Sequence, residues 1–175
     1  MNRDFVEMLS ALSAAGASFL IVGAHALAAH GAPRATGDLD IWIQATPENA
    51  QCVLQALKTF GAPLHGLSVD DLSQPDTVFQ IGLPPSRIDI LSSISGVDFN
   101  AAWGRRVEVT IGDLRVGVIG RSDFVVNKKA VAILAVLISA VLFAALFVGG
   151  KWRHFSFWTA SVGSFGWMDG LAGSR

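Results

Sequence analysis

The sequence predicts an α+β fold, a mixed sheet with helices mainly on one face, followed by a single apolar helix. Three observations carry this expectation. Apolar residues recur at helical spacing in two stretches, several short runs alternate with the period of two that marks strands, and residues 130–150 hold no charged side chain at all. A chain of 175 residues suits one domain with a substantial core and is short for two.

Taken in order, Phe5, Met8, Leu9 and Leu12 form one face of a helix that ends before Gly16. Residues 18–22 read as a short apolar strand, and a turn at Gly23 leads into an Ala-rich helix over residues 24–30. Residues 38–44 alternate as a strand. Thr46-Pro47-Glu48 is a helix start whose apolar face is Ala50, Val53, Leu54, Leu57 and Phe60, with Gly61 as the stop. Residues 77–83 and 86–91 are two strands around Pro84-Pro85, and residues 106–111 pair with 114–119 across Gly112-Asp113. Asp70, Asp71 and Asp76 fall in a Ser/Pro/Asp stretch that reads as a solvated loop.

The remaining segment differs in kind. Residues 130–150 contain Ser139 as their one clearly polar side chain, and a helix of that length spans roughly 30 Å, the hydrocarbon thickness of a bilayer. Lys128 and Lys129 precede it, Lys151 and Arg153 follow it, and Trp152, Phe155, Phe157 and Trp158 supply interface-seeking aromatics. The expected organisation is therefore a domain over 1–129, a transmembrane helix over 130–150, and a short Gly/aromatic tail over 151–175. It is not a signal peptide, because the N-terminus carries Arg3, Asp4 and Glu7.

Composition excludes some functions. A formal net charge of −1 gives no long-range attraction for bulk DNA. One cysteine, Cys52, forms neither an internal disulfide nor a Cys-based metal cluster, so a cytosolic domain is the expectation. His25 and His30 lie five apart, which is not the spacing of a helical metal pair, and they read as packing or surface residues.

The chemistry lies in the carboxylates. In Gly37-Asp38-Leu39-Asp40-Ile41-Trp42-Ile43, strand alternation puts Asp38 and Asp40 on one face and Leu39, Ile41 and Ile43 on the other. Adjacent negative charges repel unless a cation sits between them, and a hard divalent ion with oxygen ligands is the natural candidate. In Arg87-Ile88-Asp89-Ile90-Leu91 the same parity buries Ile88 and Ile90 and projects Asp89. Three carboxylates on neighbouring strands suit metal-assisted chemistry at phosphate. Upstream, Ile21-Val22-Gly23-Ala24 is a strand-to-helix turn whose backbone N–H groups suit a phosphate chain. Arg34, four residues before Asp38, has the geometry to clamp phosphate, as has Lys128 by charge.

These residues, with the runs 30–42 and 127–130, resemble the nucleotidyltransferase superfamily of DNA polymerase beta. The likeness is to its small bacterial members related to abortive-infection and toxin–antitoxin systems. The resemblance covers roughly residues 5–130, and Pro-Arg-Ala-Thr-Gly-Asp-Leu-Asp-Ile-Trp is its most specific part. It implies a nucleotidyltransferase-like sheet, with Asp38, Asp40 and Asp89 as catalytic and metal-holding residues for Mg²⁺ or Mn²⁺. Gly23, Ala24, Arg34 and Lys128 would lie along a nucleoside triphosphate. It also implies transfer of a nucleotidyl group to a hydroxyl of protein or RNA, and the apolar segment that follows adds the expectation of a cytoplasmic domain anchored to the inner or plasma membrane through the C-terminal helix. Two departures stand out. Ala24 replaces the second residue of the family's Gly-Gly or Gly-Ser turn, and the likeness stops where the chain turns apolar after Ala130. The alternatives are a non-catalytic nucleotide-binding or antitoxin-like partner, membrane-tethered or carrying a frameshifted C-terminus, and a membrane-tethered interaction module whose carboxylates are only surface.

Overall fold

The computed structural model describes residues 2–83 and 86–148. The expected turn at Pro84-Pro85, the end of the apolar segment at Gly149 and Gly150, and the tail over 151–175 lie outside the described residues. The chain divides into two compact units, Met1–Val131 and Ala132–Arg175.

The first unit holds α1 (Arg3–Ala14), β1 (Phe19–Ile21), α2 (Gly23–Ala29), β2 (Asp38–Ile43), α3 (Pro47–Phe60), α4 (Val69–Ser73), β3 (Val78–Ile81), β4 (Arg87–Leu91), α5 (Phe99–Gly104), β5 (Val107–Ile111) and β6 (Leu114–Val118). The six strands form one sheet in the order β3-β4-β2-β1-β6-β5. It is mixed. The pairs β1–β2, β3–β4 and β5–β6 are antiparallel, while β2–β4 and β1–β6 are parallel.

Register sorts the side chains into two faces. Phe19, Ile21, Leu39, Ile41, Ile43, Ile88, Ile90 and Val118 share one face, and all are buried. Burial that complete needs a covering layer, which the apolar stripes of α1 (Phe5, Met8, Leu9, Leu12) and α3 (Ala50, Val53, Ala56, Leu57) supply, α1 and α3 packing on each other. On α3 the buried stripe is rotated from the expected one: Ala56 and Asn49 join it, while Leu54 and Phe60 are half-buried. Asn49 earns its place by accepting a hydrogen bond from the Ser18 N–H (2.7 Å) and donating to the Ser18 and Gln44 carbonyls (3.0 and 2.9 Å). It stitches α3 to the ends of both central strands. Thr46 caps the start of α3 and Gly61, at φ 83°, ends it in the left-handed region.

Two helices depart from expectation. Residues 69–73 form α4 rather than a loop, because the Ser68 side chain accepts from the Asp71 N–H while the Asp71 carboxylate accepts from the Ser68 N–H. That reciprocal cap starts a turn anchored by buried Leu72. The Ser68 hydroxyl and N–H both donate to the Asp71 carboxylate and hold its carboxyl below the usual carboxylate range. Asp76, by contrast, does lie in a connection, its carboxylate accepting from the Ser93 hydroxyl. Helix α5 was not visible in the periodicity; Asp98 caps it, and its Phe99 meets the edge of Trp42 at 4.9 Å on the sheet face opposite α1 and α3.

The last helix, α6 (Arg121–Val148), starts well before residue 130 and contains Lys128 and Lys129. Its first turn is held by buried Asp123, whose carboxylate takes a two-pronged hydrogen bond from Arg105 (3.0 and 2.8 Å). Farther along the helix, Val136 and Val141 are 68% and 67% exposed, and no part of the most apolar stretch, of mean hydropathy 2.1, is buried. It is long and apolar enough to cross a membrane.

Candidate active site

The sheet face opposite α1 and α3 carries the polar cluster. Strand β2 presents Asp38, Asp40 and Trp42 there, and β4 presents Arg87, Asp89 and Leu91, with Asp38 opposite Arg87 and Asp40 opposite Asp89. Paired residues on neighbouring strands lie about 5 Å apart, so Asp40 and Asp89 are two carboxylates in direct lateral contact range. Such a pair needs compensation.

Arg87 supplies part of it. Its Nε and Nη2 donate to the two oxygens of Asp89 (2.8 and 3.0 Å), and the same Nη2 donates to Asp38 Oδ2 at 3.1 Å. Gln80, opposite Asp89 on β3, adds a further donor to Asp89 Oδ1 at 3.2 Å. Asp89 is thus buried and fully engaged. Asp40 is different: it is half-buried and takes part in no side-chain hydrogen bond or ion pair among the described residues. Burial first, then the charges of Asp89 and Asp38, push its carboxyl above the usual carboxylate range, with Lys128 and Arg87 opposing.

The turn from β1 to α2 comes to the same place. Gly23 sits at φ 63°, and a Cβ there would fall on Asp40 Oδ2 and 2.7 Å from Asp40 Cγ. Only a residue without a side chain lets the Asp40 carboxylate lie against that backbone. Val22 precedes α2 in an extended conformation and no side chain caps the helix, so Gly23 and Ala24 open α2 with no side-chain acceptor at its start.

The structure therefore brings together Gly23, Asp38, Asp40 and Asp89, with Ala24 beside Gly23 and the Lys128 charge felt at Asp40. Lys128 Nζ also lies 5.4 Å from the Phe124 ring. Arg34 is exposed in the segment before β2 and makes no ion pair among the described residues. Arg87 and Gln80 were not singled out by sequence reasoning, although the parity that placed Asp89 places Arg87 on the same face. His25 and His30 are packing residues: His25 packs its ring edge-to-face with Phe5 and burial lowers its pKa, while His30 Nε2 lies 2.8 Å from the Ile119 carbonyl.

Among the described residues no three His, Cys, Asp or Glu side chains converge on one point. The pair Asp38 and Asp40 nonetheless fits the way Mg²⁺ is usually held, by one or two carboxylates with substrate phosphates and water completing the shell. Unpartnered Asp40 is the observation that supports the fit.

No protein-family model matches the sequence, and no curated protein is significantly similar to it. A crystal structure from Thermotoga maritima, described as that of a candidate nucleotidyltransferase, has a similar fold. It superposes with a TM-score of 0.57 at 13% identity, over 84% of this chain and 92% of its own. At that identity the likeness shows the fold: this chain has a nucleotidyltransferase-like fold.

Proposed function

We propose that this chain is a Mg²⁺-dependent nucleotidyltransferase that moves a nucleotidyl group from a nucleoside triphosphate to a hydroxyl of protein or RNA. The observation that carries the reading is Asp40, a half-buried carboxylate without a partner, beside Asp38 and against the Gly23 turn, in a nucleotidyltransferase-like fold. A bound Mg²⁺ neutralises phosphate charge and polarises the reacting phosphoryl group. Asp38 and Asp40 would hold that ion. The Gly23-Ala24 backbone faces the phosphate chain, and Lys128, with Arg34 from the preceding segment, adds positive charge along it. Asp89, opposite Asp40 and held by Arg87 and Gln80, would help place the acceptor hydroxyl through the carboxylate face rather than by direct contact. The hydroxyl oxygen forms a bond to the α-phosphorus, the bond to the β-phosphate oxygen breaks, and pyrophosphate leaves while the hydroxyl proton passes to solvent.

Residues 130–150 anchor the domain to the inner or plasma membrane, with residues 1–129 in the cytosol where nucleotides are. Support comes from the exposed apolar surface of α6, which is far more than a water-soluble helix leaves uncovered.

The test is to incubate the detergent-purified full chain with each labelled nucleoside triphosphate, Mg²⁺, and bulk tRNA or candidate protein acceptors. The expected result is label transfer with pyrophosphate release, abolished in Asp40→Asn. Ala24, which lacks the hydroxyl of the family's Gly-Ser turn, favours a second reading, a non-catalytic nucleotide-binding partner protein. Nucleotide binding without turnover across all acceptors would select it. Neither binding nor turnover would remove both.

A further inference from the structure

We propose that Arg87 takes the place of a second cation, so that the site binds one divalent ion per chain, on Asp38 and Asp40, with Asp89 excluded from its ligands. The inference rests on the reading of the carboxylate face as a metal site and adds its stoichiometry and the part played by Arg87.

The geometry turns on one atom. Nη2 of Arg87 lies 3.1 Å from Asp38 Oδ2 and 3.0 Å from Asp89 Oδ2, so it bridges the two carboxylates. A Mg²⁺ ion shared by Asp38 and Asp89 would lie about 2.1 Å from those same oxygens. The two cations would contend for one small volume, and their like charges would repel across it. Ion and guanidinium do not fit together there.

Arg87 is also poorly placed to withdraw. Its Nε and Nη2 grip both oxygens of Asp89, a fork whose directionality an ammonium or a metal does not reproduce. The Asp89 side chain is only 9% exposed, and removing its guanidinium would leave a buried carboxylate with only Gln80 for a donor. Asp40 stands outside this network, and Asp38 contributes only Oδ2 to it. The ligands left for a divalent ion are the second Asp38 oxygen and the Asp40 carboxylate. Arg87 is then a positioning residue, which holds Asp89 and one oxygen of Asp38 in place while the ion binds beside them.

Titration of the full-length protein with Mn²⁺ alone, following the electron-spin resonance of free Mn²⁺, tests this without any turnover. The wild type is expected to bind one ion, at least tenfold more weakly in Asp40→Asn and with affinity kept within about threefold in Asp89→Asn. Arg87→Gln is expected to gain a second ion, and the double variant Arg87→Gln with Asp89→Asn to return to one. Two ions in the wild type, loss of the ion in Asp89→Asn, or a single ion in folded Arg87→Gln would each overturn the inference while leaving a metal site in place. No Mn²⁺ on the wild type would overturn both it and the metal reading. If Arg87→Gln does not fold, the wild-type count and Asp89→Asn decide the matter by themselves.

Discussion

Gly23 and Asp40 constrain each other on the carboxylate face. A methyl group at Gly23 must displace the Asp40 carboxylate and also adopt φ 63°, which costs a non-glycine residue about 1–2 kcal/mol. Gly23→Ala is therefore expected to lower stability by about that amount in urea titration and to weaken Mn²⁺ binding at the same time. A purely conformational role for the glycine would change the first and spare the second. Asp40 should behave in the opposite sense. Its folded-state pKa is raised, so between the ordinary carboxylate value and that raised value the folded chain binds more protons than the unfolded one, and stability falls as pH rises through the window. Asp40→Asn is expected to raise the melting temperature near neutral pH and to flatten that part of the pH dependence, as melts between pH 4 and pH 8 would show. At Ala24 the change Ala24→Ser is expected to strengthen nucleotide binding by about 1 kcal/mol, one hydrogen bond's worth, if phosphate meets the turn. Calorimetry showing unchanged or weaker binding would place the phosphates elsewhere.

At the scale of elements, α3 holds its place by one polar residue as much as by its apolar stripe. Asn49 satisfies three backbone groups at the ends of β1 and β2, and it is only 6% exposed. Asn49→Ala strands those groups in a buried setting, and a loss of about 2–3 kcal/mol is expected in chemical denaturation. A change within experimental error would mean water replaces the amide there. Helix α4 teaches a related lesson about legibility. Ser68 and Asp71 stand at the spacing of a reciprocal cap, yet the turn residues around them outweighed it in the sequence reading. Helix α5 offered only its cap residue Asp98 as a local sign, since six residues are too few for a period; its Phe99 meets Trp42 edge-to-face and stacks on Trp103.

For the molecule as a whole, the exposed apolar side chains of α6 are what the proposed membrane anchoring rests on. Large apolar side chains from Val131 to Phe143 stand exposed along the helix, a surface that water penalises and that lipid would cover if the proposed anchoring holds. The full chain is expected in the membrane fraction after carbonate washing. Replacing Ile133 and Leu137 together by Arg, at about 2.5–3.5 kcal/mol per charge at the centre of a span, should move it to the supernatant. Retention of the double variant after the same wash would show that Ile133 and Leu137 do not lie at the centre of a span. Orientation is a separate matter, because Arg121, Lys128 and Lys129 before the span nearly balance Lys151, Arg153 and Arg175 after it. If residues 1–129 lie in the cytosol as proposed, a C-terminal epitope should be cut by protease added to the outside of right-side-out vesicles and protected in inside-out ones.

Sequence alone determined which side of its own strand each carboxylate faces, because side chains alternate with a period of two whatever the neighbours are. It determined the apolar stripes of α1 and most of α3, and the apolar stretch of α6, by the same local logic of period and length. What only the tertiary structure decided is which strands adjoin. The sheet order β3-β4-β2-β1-β6-β5 puts β4 parallel to β2 across nearly fifty residues of chain, and that register sets Asp89 opposite Asp40 and lets Arg87 bridge to Asp38. The meeting of Gly23 with Asp40 likewise follows from β1 lying antiparallel to β2, Ile21 opposite Ile41. Strand neighbours are chosen by burial summed over the whole sheet and by the loops that must close, and no local pattern of residues encodes that sum.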